Sequence, residues 1–299
     1  MFGSIHLTGD PARFLIPVTE AHDEEVYQAQ REAMGLDRPF IIQYLDFLQG
    51  ALRAEFGKSF IYSVPVKDLI LDRLPATVHL ALTGMIMAFA LGIPLGILAA
   101  VKRDSIFDKI GQAFAVFGLA APQFWVAIML IMILGAQLTW LPTHGRGDIE
   151  GWWPEWHQIP DMIHHLMLPA FVLAITVIAA VMRLTRSAML EILDSDFVKF
   201  AQVKGLSHRS VIWKHAARNA LIPVLTFGGI TLAGLLNGSV VVEVVFAWPG
   251  VGLLLLEGVR NRDFPMTEGA ILLSGFFYII TSVIIDILYG YVDPRVRIR

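Results

Sequence analysis

Cysteine is missing from all 299 residues, so disulfides, thiol catalysis and cysteine-held metal or iron–sulfur centres are excluded. Charge is also sparse. Lys, Arg, Asp and Glu make up 16% of the chain and the formal net charge is -3, so no overall basic balance points to nucleic acid or another polyanion as partner. What the chain has instead is apolar surface. It is 56% hydrophobic, its mean hydropathy is +0.62, and it contains apolar runs long enough to cross a bilayer. These values place it among all-α polytopic membrane proteins rather than soluble globules, and one membrane domain accounts for its length.

Five stretches can cross a hydrocarbon core of about 30 Å as helices. They run from Ala76 to Ala100, Ile110 to Ala136, His165 to Val181, Ala220 to Ala247 and Gly269 to Val292. The fourth carries Gly228, Gly229, Gly234 and Gly238, small residues that let helix backbones approach closely in lipid. Pro94 and Pro122 fall inside the first two stretches and mark places for a kink.

The connections orient these spans, because short loops retained in the cytoplasm are enriched in Lys and Arg. Lys102, Arg103 and Lys109 lie in one connection, seven Lys and Arg lie between Arg183 and Arg218, and Arg295, Arg297 and Arg299 lie in the tail. These three segments are expected inside, so the C-terminus is cytoplasmic. The intervening loops hold Arg146 alone and the pair Arg260 and Arg262, and are expected outside. Trp140, Trp152, Trp153 and Trp156 suit an interfacial belt on that outer face.

Alternation then puts residues 1–75 outside, although they carry eleven Asp and Glu and no apolar span precedes them. The expectation is that a first span is missing, with "MFGSIHL" as its remnant, the alternative being that the Ala76–Ala100 stretch inserts as a reverse signal anchor. Within the segment, "PFIIQYLDFLQGALRAEF" has helical apolar spacing suited to the membrane surface or to packing on the spans.

Between the third and fourth spans stands "FAQVKGLSHRSVIWKHAARNALIPV". A helical pattern from Leu190 to Val203 is broken or capped at Gly205, and a short helix resumes with Ser207 as its N-cap. Its apolar residues Leu206, Val211, Ile212 and Trp213, expected to be exposed, sit beside Arg209, Lys214, His215 and Arg218. Two readings stand on physics alone: docking in a groove of another protein, or basic residues on anionic lipid headgroups.

The stretch "DSDFVKFAQVKGLSHRSVIWKHAARNALIPVLT" resembles the cytoplasmic loop of permeases from the peptide and nickel branch of ATP-binding-cassette importers, the dipeptide and oligopeptide permease B type. "RLPATVHLAL", "GIPLGILAA", "APQFWVAIML", "WLPTHG", "LPAFVLA", "RLTRSAMLEIL", "VEVVFAWPGVG" and "DILYGYVDPRVR" follow in that family's order, and "HLTGDPARF" resembles the segment after its first span. The likeness covers essentially the whole chain. Two departures are visible: five spans where the family has six, and Lys199, Phe200 and Ala201 before Gly205, with Ala217 and Arg218 after it. In the wider superfamily those places read Glu-Ala-Ala and Leu-Pro, so this is the peptide-branch variant of the motif.

The resemblance implies a type I importer transmembrane fold (MetI-like), with residues 1–75 an extracytoplasmic segment and 76–299 the permease domain, whose cytoplasmic coupling loop spans about 183–219. It implies a bacterial inner membrane, a second permease subunit, two ATPase subunits and an extracytoplasmic substrate-binding protein. Ala201, Lys204, Gly205, Leu206, Ser207, Arg209, Val211, Ile212 and Trp213 become the expected ATPase-coupling residues. ATP and magnesium belong to the partner ATPases and no cofactor to this chain. The substrate class includes dipeptides, oligopeptides, glutathione, nickel complexes and opines. An ATP-independent channel or secondary carrier is the alternative.

Other motifs carry less. "GKS" at Gly57–Ser59 lacks the phosphate-loop glycine, since Leu52 occupies its place, and no nucleophile or metalloprotease spacing points to an enzyme. Glu243 and Asp286 are ionisable groups inside apolar stretches. Glu243 is expected either to pair with an Arg or to line or gate the path, and Asp286 to snorkel or pair near the basic tail. Arg183 and Arg186 read as cytoplasmic-end anchors. Phe124 and Trp125 are path candidates, with core packing as the plainer expectation. His144, His157, His164 and His165 share one outer loop without the i, i+4 spacing of a metal pair, so ordinary polar roles are expected.

Overall fold

The structure is a computed structural model and describes residues 12, 16, 24–53, 55–147, 149, 151–236 and 239–292. Among the described residues, α1 (Glu24–Ala33) and α2 (Phe40–Leu52) precede the apolar part. Neither buries a residue. α2 presents Ile41, Leu45, Leu48 and Leu52 to the surroundings, as its apolar spacing foretells.

The long helices exceed the apolar stretches that announce them. α3 (Val66–Val101) has 36 residues and begins ten positions before Ala76. At 1.5 Å per residue it is about 54 Å long, well over the hydrocarbon thickness, so part of it stands outside. α6 (Ile159–Leu193) likewise overruns the His165–Val181 stretch at both ends. These two helices form the hub of the molecule. Gly84, Gly92 and Gly96 of α3 face Leu173, Val181 and Thr185 of α6, and a Cβ at Gly92 would stand 2.8 Å from Val181 Cγ1. Close approach of this kind needs glycine.

Between α3 and α6 the chain turns through α4 (Ile106–Ala120) and α5 (Gln123–Gln137), which meet at 107°. Pro122 supplies the reason. Its ring bars helical backbone at Ala121, whose ψ is 128°, and it has no N–H with which to continue α4. The second apolar stretch is therefore a bent pair rather than one rod, and α5 finishes in a wide π-helical turn over Ile131–Gln137.

The connection after α6 contains α7 (Asp196–Val203). The next helix, α8, runs unbroken from His208 to Leu236 and includes a π-helical stretch over Val211–Ala217. The fourth stretch ends at Leu236, not Ala247. A separate six-residue helix, α9 (Val240–Val245), follows and is as apolar as a span, so hydropathy cannot see the break. Of the four glycines expected to pack closely, Gly228 meets Phe89 and Gly229 meets Ile285. Gly234 faces open space, and Gly238 lies outside the described residues. α10 (Val251–Arg260) and α11 (Phe264–Val292) complete the order.

Among the described residues four helices, or five spans if the bent pair counts as one, are long and apolar enough to cross a membrane. No strand is present among the described residues beyond one isolated bridge between Lys58 and Pro65. The basic connections gather at one end of the bundle. The exposed Trp140, Trp152, Trp153 and Trp156 lie in the loop at the other end. The largest core cluster joins α3, α5, α6 and α9 through Leu80, Val126, Leu173, Val242 and Phe246, with Trp248 donating its indole N–H to the Ala76 carbonyl at 2.9 Å.

Candidate functional site

The connection from α6 to α8 is built as a compact two-helix knob. α7 is amphipathic, and Val198 and Ala201 turn inward onto Val211, with Ile192 and Leu193 beside them. The opposite face leaves Phe197, Phe200 and Val203 exposed, Val203 by 84%. Gly205 ends the helix in the left-handed region, at φ +79°. Its N–H reaches the Gln202 carbonyl at 2.9 Å and the Leu206 N–H reaches that of Ala201 at 3.4 Å, a Schellman arrangement that satisfies two orphan carbonyls. Two residues later Ser207 caps α8, its hydroxyl accepting the Ser210 N–H at 3.4 Å.

The residues expected to couple are therefore divided. Lys204, Leu206, Ser207, Arg209 and Trp213 are exposed, and the Lys204 ammonium lies 4.6 Å from the Phe200 ring centroid. Ala201, Val211 and Ile212 are buried. The expected exposure of Val211 and Ile212 is corrected here: Val211 receives α7, and Ile212 packs with Ile97, Met189 and Ala216. The expected short helix capped by Ser207 is instead the first turns of the whole of α8. Phe197, Phe200 and Val203 were missed as surface residues, although the spacing of "DFVKFAQV" turns Phe200 and Val203 away from Val198 and Ala201 and leaves Phe197 on the flank beside Ala201. An apolar ridge flanked by Lys199, Lys204 and Arg209 has the chemistry of a helix that seats in a groove.

A second polar site lies at the tryptophan-bearing end. Glu243 on α9 is fully buried, and its Oε1 accepts the Thr77 hydroxyl at 3.0 Å while Oε2 accepts the Leu253 N–H at 2.9 Å. The same Thr77 hydroxyl accepts the Val251 N–H at 2.9 Å. One carboxylate thus pins α9, α3 and the start of α10 together. Gly250 and Gly252 permit it, since a Cβ on either would come within 2.8 Å of that carboxylate. No Arg forms an ion pair with Glu243 among the described residues, though the charge of Arg73 acts on it, and its hydrogen-bond partners are the Thr77 hydroxyl and the backbone amides of Leu253 and Gly252. Nor does Glu243 join Phe124 and Trp125. Those two are 52% and 44% exposed, so they are not core, whereas their neighbours Val126 and Ala127 face the cluster that holds Val242.

Three further pairings were not foreseen. Asp108, fully buried at the start of α4, takes two hydrogen bonds from Arg186 of α6, at 2.6 and 2.8 Å. Arg186 is thus half of an interhelix bond rather than only an end anchor. Arg146 is buried too. It donates to His79 Nδ1 and the Gly151 carbonyl, both at 2.9 Å, and burial lowers its pKa from the ordinary arginine value. Ser59, from the spurious phosphate-loop match, donates to Asp263 at 2.6 Å. His164 pairs with the Trp140 carbonyl and His165 with Asp161, and no group of three potential metal ligands occurs among the described residues. The side chain of Asp286 and the tail arginines lie outside the described residues.

A hub of long helices, a bent span and a two-helix knob define a transporter-type transmembrane fold, and solved structures share it. The inward-facing MetNI methionine ABC transporter matches over 75% of this chain and 96% of that one, with a TM-score of 0.59 at 16% identity, which speaks for the fold alone. Residues 92–298 match the family described as binding-protein-dependent transport system inner membrane component. Full-length relatives agree. The dipeptide transport system permease protein DppB of Escherichia coli K12 is 36% identical over 99% of this chain and 92% of its own. The oligopeptide transport system permease protein AppB of Bacillus subtilis 168 is 41% identical over 94% and 89%. The chain belongs to the binding-protein-dependent transport system inner membrane component family, and is a permease of that family.

Proposed function

We propose that this permease imports dipeptides, oligopeptides or closely related solutes across a bacterial inner membrane, driven by ATP that partner subunits hydrolyse. The peptide class is supported by the names of the relatives, among them a putative peptide transport system permease protein of Brucella abortus, 38% identical over 97% of this chain. A second permease subunit completes the path, an extracytoplasmic binding protein delivers substrate, and two ATPase subunits sit on the basic end, which the distribution of Lys and Arg makes cytoplasmic. ATP and magnesium are held by those subunits.

The observation that carries the coupling role is the exposed ridge of Phe197, Phe200 and Val203 on α7, the short helix packed against the first turns of α8. ATPase movement reaches the bundle through the buried patch of Val198, Ala201 and Val211, with Gly205 as the joint. The chain lacks cysteine, which makes the test direct. Single cysteines at Val203 and Ser207 are expected to crosslink to the co-expressed ATPase with a yield that changes on ATP addition. No crosslink at either position in an intact, active complex would move the ridge to the lipid surface and favour a carrier that works without ATP.

A further inference from the structure

Beside the knob, but on a different wall, lies a groove of about 910 Å³ between α3 and the start of α8. Its floor is apolar, with Ile93 and Ile97 from α3 and Leu221 from α8. Ile97 is four residues and Ile93 eight residues from the end of α3, which puts this floor about 6 to 12 Å below the basic end of the bundle. Its mouth is cationic. Lys214 and Arg218, four residues apart on α8, and the half-exposed His215 line it, with Trp213 and Phe197 at the rim. No carboxylate lines the groove, and neither Lys214 nor Arg218 forms an ion pair among the described residues.

We propose that this groove holds one anionic phospholipid, its phosphate between Lys214 and Arg218 and an acyl chain along Ile93, Ile97 and Leu221. The order of chemistry with depth selects a lipid: cations and an aromatic at headgroup level, hydrocarbon beneath them. A free phosphate would use the mouth alone and leave the floor exposed. Basic pockets between spans at a membrane surface bind such headgroups, each cation near the surface contributing enough for about a fivefold change in binding. The bound lipid fills the space between the hub helix α3 and the π-helical start of α8, the segment through which the knob connects to its span. It therefore stiffens that connection, touching the docking ridge only at Phe197 on the rim and leaving Phe200 and Val203 free.

The test uses the permease complex co-expressed with its partner subunits, reconstituted in nanodiscs of phosphatidylcholine with phosphatidylglycerol. Native mass spectrometry is expected to find phosphatidylglycerol retained on the wild type in preference to phosphatidylcholine. The Lys214→Ala/Arg218→Ala variant is expected to retain about 30-fold less, and Lys214→Arg/Arg218→Lys to retain it. ATPase association, read by co-purification, is expected to be unchanged, which separates this site from the docking ridge. Equal retention of phosphatidylglycerol by wild type and double alanine variant, or no preference over phosphatidylcholine, overturns the proposal. Should the alanine variant fail to assemble, a photoreactive phosphatidylglycerol on the wild type decides. Label in the Trp213–Leu221 segment supports the site, and label only elsewhere refutes it.

Discussion

Replacing Arg186 with methionine leaves Asp108 as a buried carboxylate without its cation. The structure sets the size of the effect. Asp108 is fully buried and loses two short hydrogen bonds, at 2.6 and 2.8 Å. Removing one partner of a buried ion pair destabilises by about 3–5 kcal/mol. Two donors remain, the Asp104 N–H at 3.0 Å and the Gln112 side chain at 2.9 Å, and Asp108 stays in the first turn of α4, where the helix dipole favours a negative charge. These point to the lower end, about 3 kcal/mol, a large share of the roughly 5–15 kcal/mol that holds a typical domain together. Arg186→Met, Asp108→Asn and the double variant form a cycle that can be read by unfolding in mixed detergent. The double variant is expected to recover much of the loss, because no unpaired charge is left. If Arg186→Met unfolds within about 0.5 kcal/mol of the wild type, the pair is a surface-type contact and the interhelix bond described above is wrong.

Three other outcomes follow from the geometry. Thr77→Val strands the Val251 N–H and removes one donor from Glu243, so a loss of about 3 kcal/mol is expected against little for Thr77→Ser; equal melting of the two variants refutes the pinning role. Gly205→Ala meets no atom within 4 Å, so only its backbone is strained, by about 1 kcal/mol, and a partial loss of ATP-driven uptake is expected. Gly205→Pro also removes the N–H that binds the Gln202 carbonyl and cannot adopt a positive φ, so uptake should be lost while the protein stays in the membrane; unaltered uptake counts against the joint.

The apolar stretches and the basic and tryptophan-rich connections were legible because hydropathy and charge bias are properties of single segments. Their ends were not. α3 and α6 continue beyond the hydrocarbon as amphipathic helix, where apolar counting stops but hydrogen bonding does not. Pairings across the chain were invisible for a different reason: Thr77 and Glu243 are 166 residues apart, and Asp108 and Arg186 are 78 apart. Each partner has an ordinary local context, and only the packed helices bring them together. Val211 and Ile212 were misplaced because α7 and α8 are both amphipathic, and a single-helix pattern does not say which apolar face meets the other helix and which meets a partner.

The distribution of burial also says which parts can move when the knob is driven. Within their apolar windows α6 is 72% buried and α3 44%, whereas α8 is 22% and α11 only 17%. α3 and α6 are locked by glycines that admit no slack, and α4 is tied to α6 by Arg186 and Asp108. Close-packed interfaces of this kind move as units, because sliding them would open voids or force clashes. α8 touches the hub through one such glycine, Gly228, which meets Phe89 of α3. It begins in a wide π-helical stretch, its Gly234 faces open space, and it continues directly from the knob. On the proposed coupling role, a displacement applied at Phe200 and Val203 is expected to pass to α8, and to α11 packed beside it through Gly229 and Ile285. On that role α8 and α11, the least buried of the four long apolar helices, are expected to move against the hub, and the groove beneath Lys214 and Arg218 lies between α3 and the start of α8.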